Sequence, residues 1–347
     1  MVETTWDKIV DPAHTFIIAE AGVNHNGNLE LAKQLIDIAV NAGADAVKFQ
    51  TFRAEKVVTP DTPKADYQLQ TTEESESQFD MLRKLELSYE QHRELMSYCR
   101  KQEIIFMSTP FDRESADFLY ELSVPVFKIG SGEITNLPFL EYVSRKGKPV
   151  ILSTGMSYLS EVDEAVRVIR SFGCKQLVLL HCVSNYPADP MDVNLRTLQT
   201  MATAFDLPVG YSDHTQGIEV SIAAVALGAC VIEKHFTMDC TLSGPDHRAS
   251  LEPKELMALV KCIRTVESAL GHGRKEPSAS EANIACIARR SLVAAKNIQA
   301  GAMLTEDVID IKRPGTGLKP TMFKYIIGRR AKENIAVGSI IDLGMLL

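Results

Sequence analysis

One arrangement recurs between residues 15 and 271 and limits what this chain can fold into. A short apolar, β-branched run is followed by a polar or glycine-rich turn, then by a segment of helical period. The runs are TFIIAEAG (15–22), AVKFQTF (46–52), IIFMSTPF (104–111), VFKIGSGE (126–133), PVILSTGM (149–156), LVLLHCV (177–183), PVGYSDH (208–214) and CVIEKHF (230–236). Between the first two, NLELAKQLIDIAVNAG (28–43) puts Leu31, Leu35, Ile38 and Ala39 on one face and ends in glycine. EVDEAVRVIRSFG (161–173) and GIEVSIAAVALG (217–228) follow the same pattern, and residues 253–271 open with proline in the first turn and stop at Gly271. Such strand–helix units of near-even length predict a (β/α)8 barrel of the TIM type, an α/β fold, over residues 1–271. The alternative, an open doubly wound sheet, lacks its GxGxxG after the first strand.

Two stretches break the rhythm. Residues 53–87 make a long connection after strand 2, where a barrel carries its functional loops; they read equally well as a lid or as a solvated excursion. Residues 272–283 read as a linker. Beyond it the frame Asn-Ile-x-x-Gly occurs twice, at Asn297 and Asn334, within AAKNIQAGAMLTEDVI (294–309) and RAKENIAVGSIIDLGML (330–346). A two-fold repeat in so short a stretch predicts a compact, turn-rich, β-rich domain over 284–347.

Composition excludes several classes. A net charge of −8 argues against wholesale binding to nucleic acid or anionic membrane, so an anionic substrate must meet a local basic cluster. The longest apolar run, 220–232, is too short to span a bilayer, and the first ten residues lack a signal-peptide core. Seven cysteines, none in a CxxC pair, fit reduced thiols in a cytoplasm.

Barrel enzymes work at the C-terminal ends of their strands, and polar residues collect there. Strand 1 ends in Glu20; strand 2 carries Lys48 and Gln50; strand 3 ends in Ser108 and Thr109. Strand 4 ends in Lys128, Ser131 and Glu133, strand 5 in Ser153 and Thr154, and strand 6 gives His181 and Ser184. Strand 7 carries Ser212 and His214, strand 8 Glu233 and His235, each pair two apart and so on one face. Unpaired polar groups are costly in a core, so their convergence marks an active site. Lys48 and Lys128 with Ser131, Ser153 and Ser212 form a ring of cations and hydroxyls suited to phosphate. Gly130, Gly132 and Gly155 let backbone N–H groups approach it. His214 and His235 lie on adjacent strands. Two imidazoles with open water positions suit a labile divalent ion such as Mn²⁺ or Mg²⁺ acting as Lewis acid, and Asp246 could hold one of its waters.

In this order the motifs resemble the sialic acid synthase family. They include IIAEAGVNHNG (17–27), AVKFQTF (46–52), FKIGSGEITNLPFL (127–140), LLHCVSNYP (179–187), VGYSDHTQG (209–217), IEKHFT (232–237), SGPDHRASLEP (243–253) and KRPGTG (312–317). The last domain is similar to type III antifreeze protein (a SAF domain). The resemblance implies condensation of phosphoenolpyruvate (PEP) with the open-chain aldehyde of N-acetylmannosamine, releasing phosphate. It implies that Lys48, Lys128, Ser131, Ser153, Ser184 and Ser212 hold PEP, although some members have asparagine at Ser184. It gives His214 and His235 the metal, Mn²⁺ by preference with Mg²⁺ or Co²⁺ as alternatives. Glu20, Gln50, Tyr186 and Asp246 would contact the sugar or the metal water, with Glu20, Glu133 and His235 catalytic and Glu133 positioned for proton transfer. Arg313 would reach the N-acetyl group in the barrel of a second subunit, making a domain-swapped homodimer. The second substrate in line is the 2,4-diacetamido-6-deoxy sugar of N,N'-diacetyllegionaminate synthases; segment 53–87 and loop 186–190 are expected to choose between the two.

Overall fold

The computed structural model describes residues 4–69, 71–72 and 75–347. Residues 1–3, 70, 73 and 74, which belong to the N-terminal stretch and to segment 53–87, lie outside the described residues. The chain divides into two compact units, Met1–Gly271 and His272–Leu347.

The first unit is a parallel barrel-like sheet of β1 (Phe16–Gly22), β2 (Ala46–Thr51), β3 (Ile105–Pro110), β4 (Phe127–Ile129), β5 (Val150–Ser153), β6 (Leu177–Cys182), β7 (Val209–Asp213) and β8 (Val231–His235). Their order is β3-β2-β1-β8-β7-β6-β5-β4, so the pairing of β1 with β8 curls the sheet round and brings the first and last strands together. Each expected run contains one of these strands. The helices between them bury their apolar faces against the outside of the sheet. Local chemistry sets their limits. Asn28 accepts from the backbone N–H groups of Glu30 and Leu31 to start helix Leu29–Ala42, and Gly43 ends it at φ +79°.

The period of the strands divides the barrel interior into levels. Phe16 and Ile18 on β1, Ala46 on β2, Ile151 on β5, Val178 and Leu180 on β6 and Val231 on β8 fill the lower interior, with Ile9 of the N-terminal helix closing the floor. One step of two residues further along each strand stand Glu20, Lys48, Ser153, Cys182 and Glu233. The same alternation that builds the core therefore delivers polar groups to the C-terminal mouth.

Among its described residues, segment 53–87 is folded. It contains short helices Ala54–Val57, Asp66–Leu69 and Gln78–Leu85. Met81 and Leu85 pack with Val23 and Phe52, and Glu86 accepts from Ala54 N at 2.7 Å and Arg53 Nη1 at 3.0 Å.

In the second unit the internal repeat is a structural device. Val337 N donates to Asn297 Oδ1 at 2.8 Å and Ala300 N donates to Asn334 Oδ1 at 2.8 Å, so each copy's asparagine holds the other copy's turn. Ile298 and Ile335 bridge between them, with both backbone bonds at 2.8 Å. A short antiparallel pair, β9 (Ser291–Ala294) with β10 (Ile309–Lys312), completes the unit. The stretch expected as linker carries a 3-10 turn at Ala279–Glu281 and runs into helix Ala282–Ala288. All seven cysteines are free. Among the described residues no helix is long and apolar enough to cross a membrane.

Candidate active site

The mouth of the barrel opens into a cavity of about 340 Å³. Of the residues singled out from the sequence, Glu20, Lys48, Gln50, Lys128, Ser131, Ser153, Ser184, Tyr186, Ser212, His214 and His235 all line it.

The expected ring of cations carries its own counter-charges. Lys48 Nζ lies 2.5 Å from Glu20 Oε2 and 3.8 Å from Glu233 Oε2, and donates to Thr109 Oγ1 at 3.1 Å. Lys128 Nζ lies 3.3 Å from Glu233 Oε1 and donates to Ser153 Oγ at 2.7 Å; Ser212 Oγ donates to the same Glu233 oxygen at 2.9 Å. Two lysines and two glutamates, all buried, place a carboxyl beside each cation, as burial of cations demands. Glu233 is the hub of this cluster. Its position two residues before His235 signalled an inward side chain, yet the sequence reading gave it no role.

Burial pushes Glu20 up to about 7, with Glu233 adding to the rise and Lys48 opposing it. Burial also works against the charge of Glu233, but Lys128 and Lys48 outweigh it and hold that carboxyl down at about 2. At Lys48 the glutamates outweigh burial and raise the pKa; at Lys128 burial wins and lowers it.

A second corner is built for close approach. Ser131 follows β4 on a 3-10 turn (Ser131–Glu133); its Oγ accepts from Gly155 N at 2.9 Å and lies 3.0 Å from Cys182 Sγ. A Cβ on residue 155 would stand 2.3 Å from Ser184 Oγ and 2.9 Å from Ser131 Oγ, so only glycine leaves these hydroxyls and the N–H together.

On the far wall the rings of His214 and His235 lie 5.4 Å apart, centroid to centroid. His214 Nδ1 lies 2.6 Å from Val183 O and must donate to it. Burial lowers His214 to about 4 and holds His235 well below the ordinary histidine value, His214 and Lys48 adding to the latter effect. Both rings are therefore neutral, and Nε2 of His214 presents a lone pair. His235 Nδ1 is buried with no hydrogen-bond partner, 3.7 Å from Asp246 Oδ2. Tyr186 packs over both rings, at 4.1 Å from His214 and 5.6 Å from His235. Behind the strands a fully buried pair fixes this loop. Lys234 Nζ lies 3.0 Å from Asp213 Oδ2 and donates to Thr215 O, while Asp213 accepts from Thr215 N and Ser221 Oγ.

Six expected residues stand elsewhere; Ser108 Oγ lies 2.7 Å from Thr51 Oγ1 and Thr154 Oγ1 donates to Leu180 O at 3.0 Å, neither lining the cavity. Glu133 sits on the turn after β4, half-buried, accepting from Asn136 Nδ2 at 2.7 Å, and does not line the cavity. Asp246 is buried behind His235 rather than in the cavity wall; burial raises it to about 6 against the pull of Lys48. Arg313 is exposed in the second unit. His181 turns away to Val193 O, because β6 directs Cys182 inward in register with Val178 and Leu180. The sequence reading also missed Ala65 and Tyr67, which segment 53–87 brings to the cavity. No periodic signal marks a loop residue that tertiary placement alone brings in.

The NeuB family model matches residues 35–275, and the SAF domain model matches residues 289–347. The N,N'-diacetyllegionaminic acid synthase of Campylobacter jejuni is 52% identical over 322 residues, covering 92% of this chain and 96% of its own. Human N-acetylneuraminate-9-phosphate synthase is 40% identical, covering 86% of this chain and 82% of its own. A crystal structure of the sialic acid synthetase of Leptospira borgpetersenii aligns with TM-score 0.70 and 40% identity over 78% of this chain and 90% of that one. Identity is thus higher to the N,N'-diacetyllegionaminic acid synthase than to the N-acetylneuraminate-9-phosphate synthase. The chain belongs to the NeuB family, the sialic acid synthases and related nonulosonate synthases, and is an enzyme of that kind with a C-terminal SAF domain.

Proposed function

We propose that this chain condenses PEP with the open-chain form of 2,4-diacetamido-2,4,6-trideoxymannose to give N,N'-diacetyllegionaminate and phosphate. The observation that carries the reaction is the pair of buried lysines sharing one cavity with two neutral imidazoles. The 52% identity to the Campylobacter enzyme supports the sugar. N-acetylmannosamine, the first reading, becomes the alternative.

In this reading Lys128, Ser153, Ser131 and the Gly155 N–H hold the phosphate of PEP, with Ser184 and Ser212 beside them, and Lys48 holds its carboxylate. C3 of PEP attacks the aldehyde carbon, whose oxygen takes up a proton to become a hydroxyl; water adds at C2 and gives up a proton, and the C2–O bond to phosphate breaks as the C2 hydroxyl loses its proton to form the 2-keto acid. Glu20, the cavity carboxyl nearest neutrality, takes the proton that water gives up. Gln50, whose Nε2 lies 3.5 Å from Glu20 Oε1, and Tyr186 contact the sugar. Glu133, half-buried on the turn that also carries Ser131 of the cavity, keeps the proton-transfer role that the family resemblance implies. His214 and His235 fit a divalent ion: both are neutral, one is oriented by a backbone carbonyl, and the other has an unpartnered buried nitrogen. Among the described residues no third His, Cys, Asp or Glu joins them in a ligand cluster, so the ion would exchange readily. When bound, it supplies Lewis-acid polarisation of the aldehyde oxygen. Asp246 acts through His235, as a carboxylate facing the ring nitrogen.

Incubation with PEP and the diacetamido sugar should yield one phosphate per 2-keto acid whose mass sums both carbon skeletons. Phosphate release that does not need the sugar would sink this reading.

Arg313 is proposed to serve the barrel of a second subunit, as the family resemblance implies. Its exposure in a separate unit fits that use. Mixing inactive His235→Ala with inactive Arg313→Ala should restore activity, because one class of mixed site holds both intact groups. No recovery despite verified subunit exchange would end the idea.

A further inference from the structure

Two aromatic rings in series form one wall of the cavity. Tyr186 packs on His214 at 4.1 Å, and Tyr67 packs on Tyr186 at 5.2 Å with 31° between the ring planes. Tyr67 belongs to the short helix Asp66–Leu69 of segment 53–87, and Ala65 beside it also lines the cavity.

The segment holds this helix in place by its own bonds. Gln68 Oε1 accepts from Ala65 N at 3.0 Å and Gln78 Nε2 at 3.3 Å, and Thr72 Oγ1 donates to Gln68 O at 2.6 Å. Thr71 O accepts from Gly244 N at 3.2 Å, in the loop after β8. Tyr67 is thus anchored to the barrel that carries His235, not left on a free loop.

In the proposed reaction the aldehyde carbon lies by the imidazoles, since C–C bond formation occurs there. The other five carbons of an open-chain hexose must then run outward, past Tyr186 and on to Tyr67. The two candidate sugars are alike near C1 and C2 and differ at C4 and C6. The diacetamido sugar carries an acetamido group and a methyl where N-acetylmannosamine carries two hydroxyls. An aromatic face attracts methyl and amide groups and gives nothing to a hydroxyl that leaves water to meet it.

We infer that Tyr67 is a specificity-determining residue whose ring reads the apolar substituents at the far end of the sugar, favouring the 4-acetamido-6-deoxy form. This rests on the substrate orientation of the reading above. A methyl-sized difference in an apolar pocket sets discrimination at about tenfold or somewhat more. Ring contact, not the hydroxyl, carries the effect, so phenylalanine replaces tyrosine without loss.

The test is kcat/KM for both sugars, with PEP saturating, in wild type, Tyr67→Phe and Tyr67→Ala, together with KM for PEP. The expected result is a ratio of diacetamido sugar to N-acetylmannosamine that falls about tenfold in Tyr67→Ala. The ratio should stay within about twofold of wild type in Tyr67→Phe, with KM for PEP nearly constant throughout. A ratio unchanged in Tyr67→Ala overturns the inference. So does a uniform loss with both sugars and a raised KM for PEP, since that is the mark of a merely structural residue. A wild type that prefers N-acetylmannosamine overturns the substrate assignment instead; the change in ratio on removing the ring still decides the role of Tyr67.

Discussion

His235→Ala should lower kcat/KM by about three orders of magnitude or more while leaving the protein folded. Lewis-acid activation contributes several kcal/mol to a transition state, and each ~1.4 kcal/mol is tenfold in rate. With two imidazoles facing the cavity, losing one halves the protein's contribution to holding the ion. The fold should survive, because Nδ1 of His235 makes no hydrogen bond whose loss would strand a partner. Dialysis of the wild type against a chelator should reach the same low rate, and added Mn²⁺ should restore the wild type but not the variant. Normal turnover by either the chelated enzyme or the variant removes the metal from this account.

Lys48→Met should have the next largest effect, and it should fall on one substrate. A charged donor to a carboxylate or phosphate is worth roughly 1.5–3 kcal/mol, so KM for PEP should rise about ten- to one-hundred-fold. KM for the sugar should change far less. Stability should fall as well. Glu20 loses its cation at 2.5 Å, and stranding one member of a buried pair typically costs ~3–5 kcal/mol. That cost depends on pH in a defined direction. The carboxyl of Glu20 is already raised from 4.5 to about 7, so the folded state holds its proton more tightly than the unfolded state does. Such a group favours folding below its unfolded pKa, and the contribution is lost as pH rises through the window up to its folded pKa. Without Lys48 the folded value climbs further. The melting-temperature deficit of the variant should therefore be small near pH 5 and larger near pH 8. An equal rise in both Michaelis constants, or a deficit that shrinks with pH, contradicts the cluster described here.

The sequence disclosed the barrel and most of its mouth because both follow from period two. Ile18 and Glu20, Ala46 and Lys48, and Val231 and Glu233 are each one step apart on the same face, so the run that marks a strand also marks the residue it delivers. Charge balance was not legible from spacing alone. Lys48 and Lys128 could be read as free donors until Glu20 and Glu233 were found between them. Glu133 escaped the pattern because β4 ends at Ile129 and the chain turns through a 3-10 helix, which breaks alternation. Asp246 reaches His235 from a loop after β8, and Tyr67 reaches Tyr186 from segment 53–87. Neither contact has a periodicity that could announce it. In the second unit the repeated Asn-Ile-x-x-Gly frame was visible, but its use, each asparagine holding the other's turn, appears only in three dimensions.

Phosphate release from PEP, followed side by side with 2,4-diacetamido-2,4,6-trideoxymannose, N-acetylmannosamine and no sugar, is the most direct measurement. The expected result is no release without sugar and a kcat/KM for the diacetamido sugar about tenfold or more above that for N-acetylmannosamine. A higher kcat/KM with N-acetylmannosamine contradicts the substrate assigned here, and absence of release with every amino sugar contradicts the condensation itself.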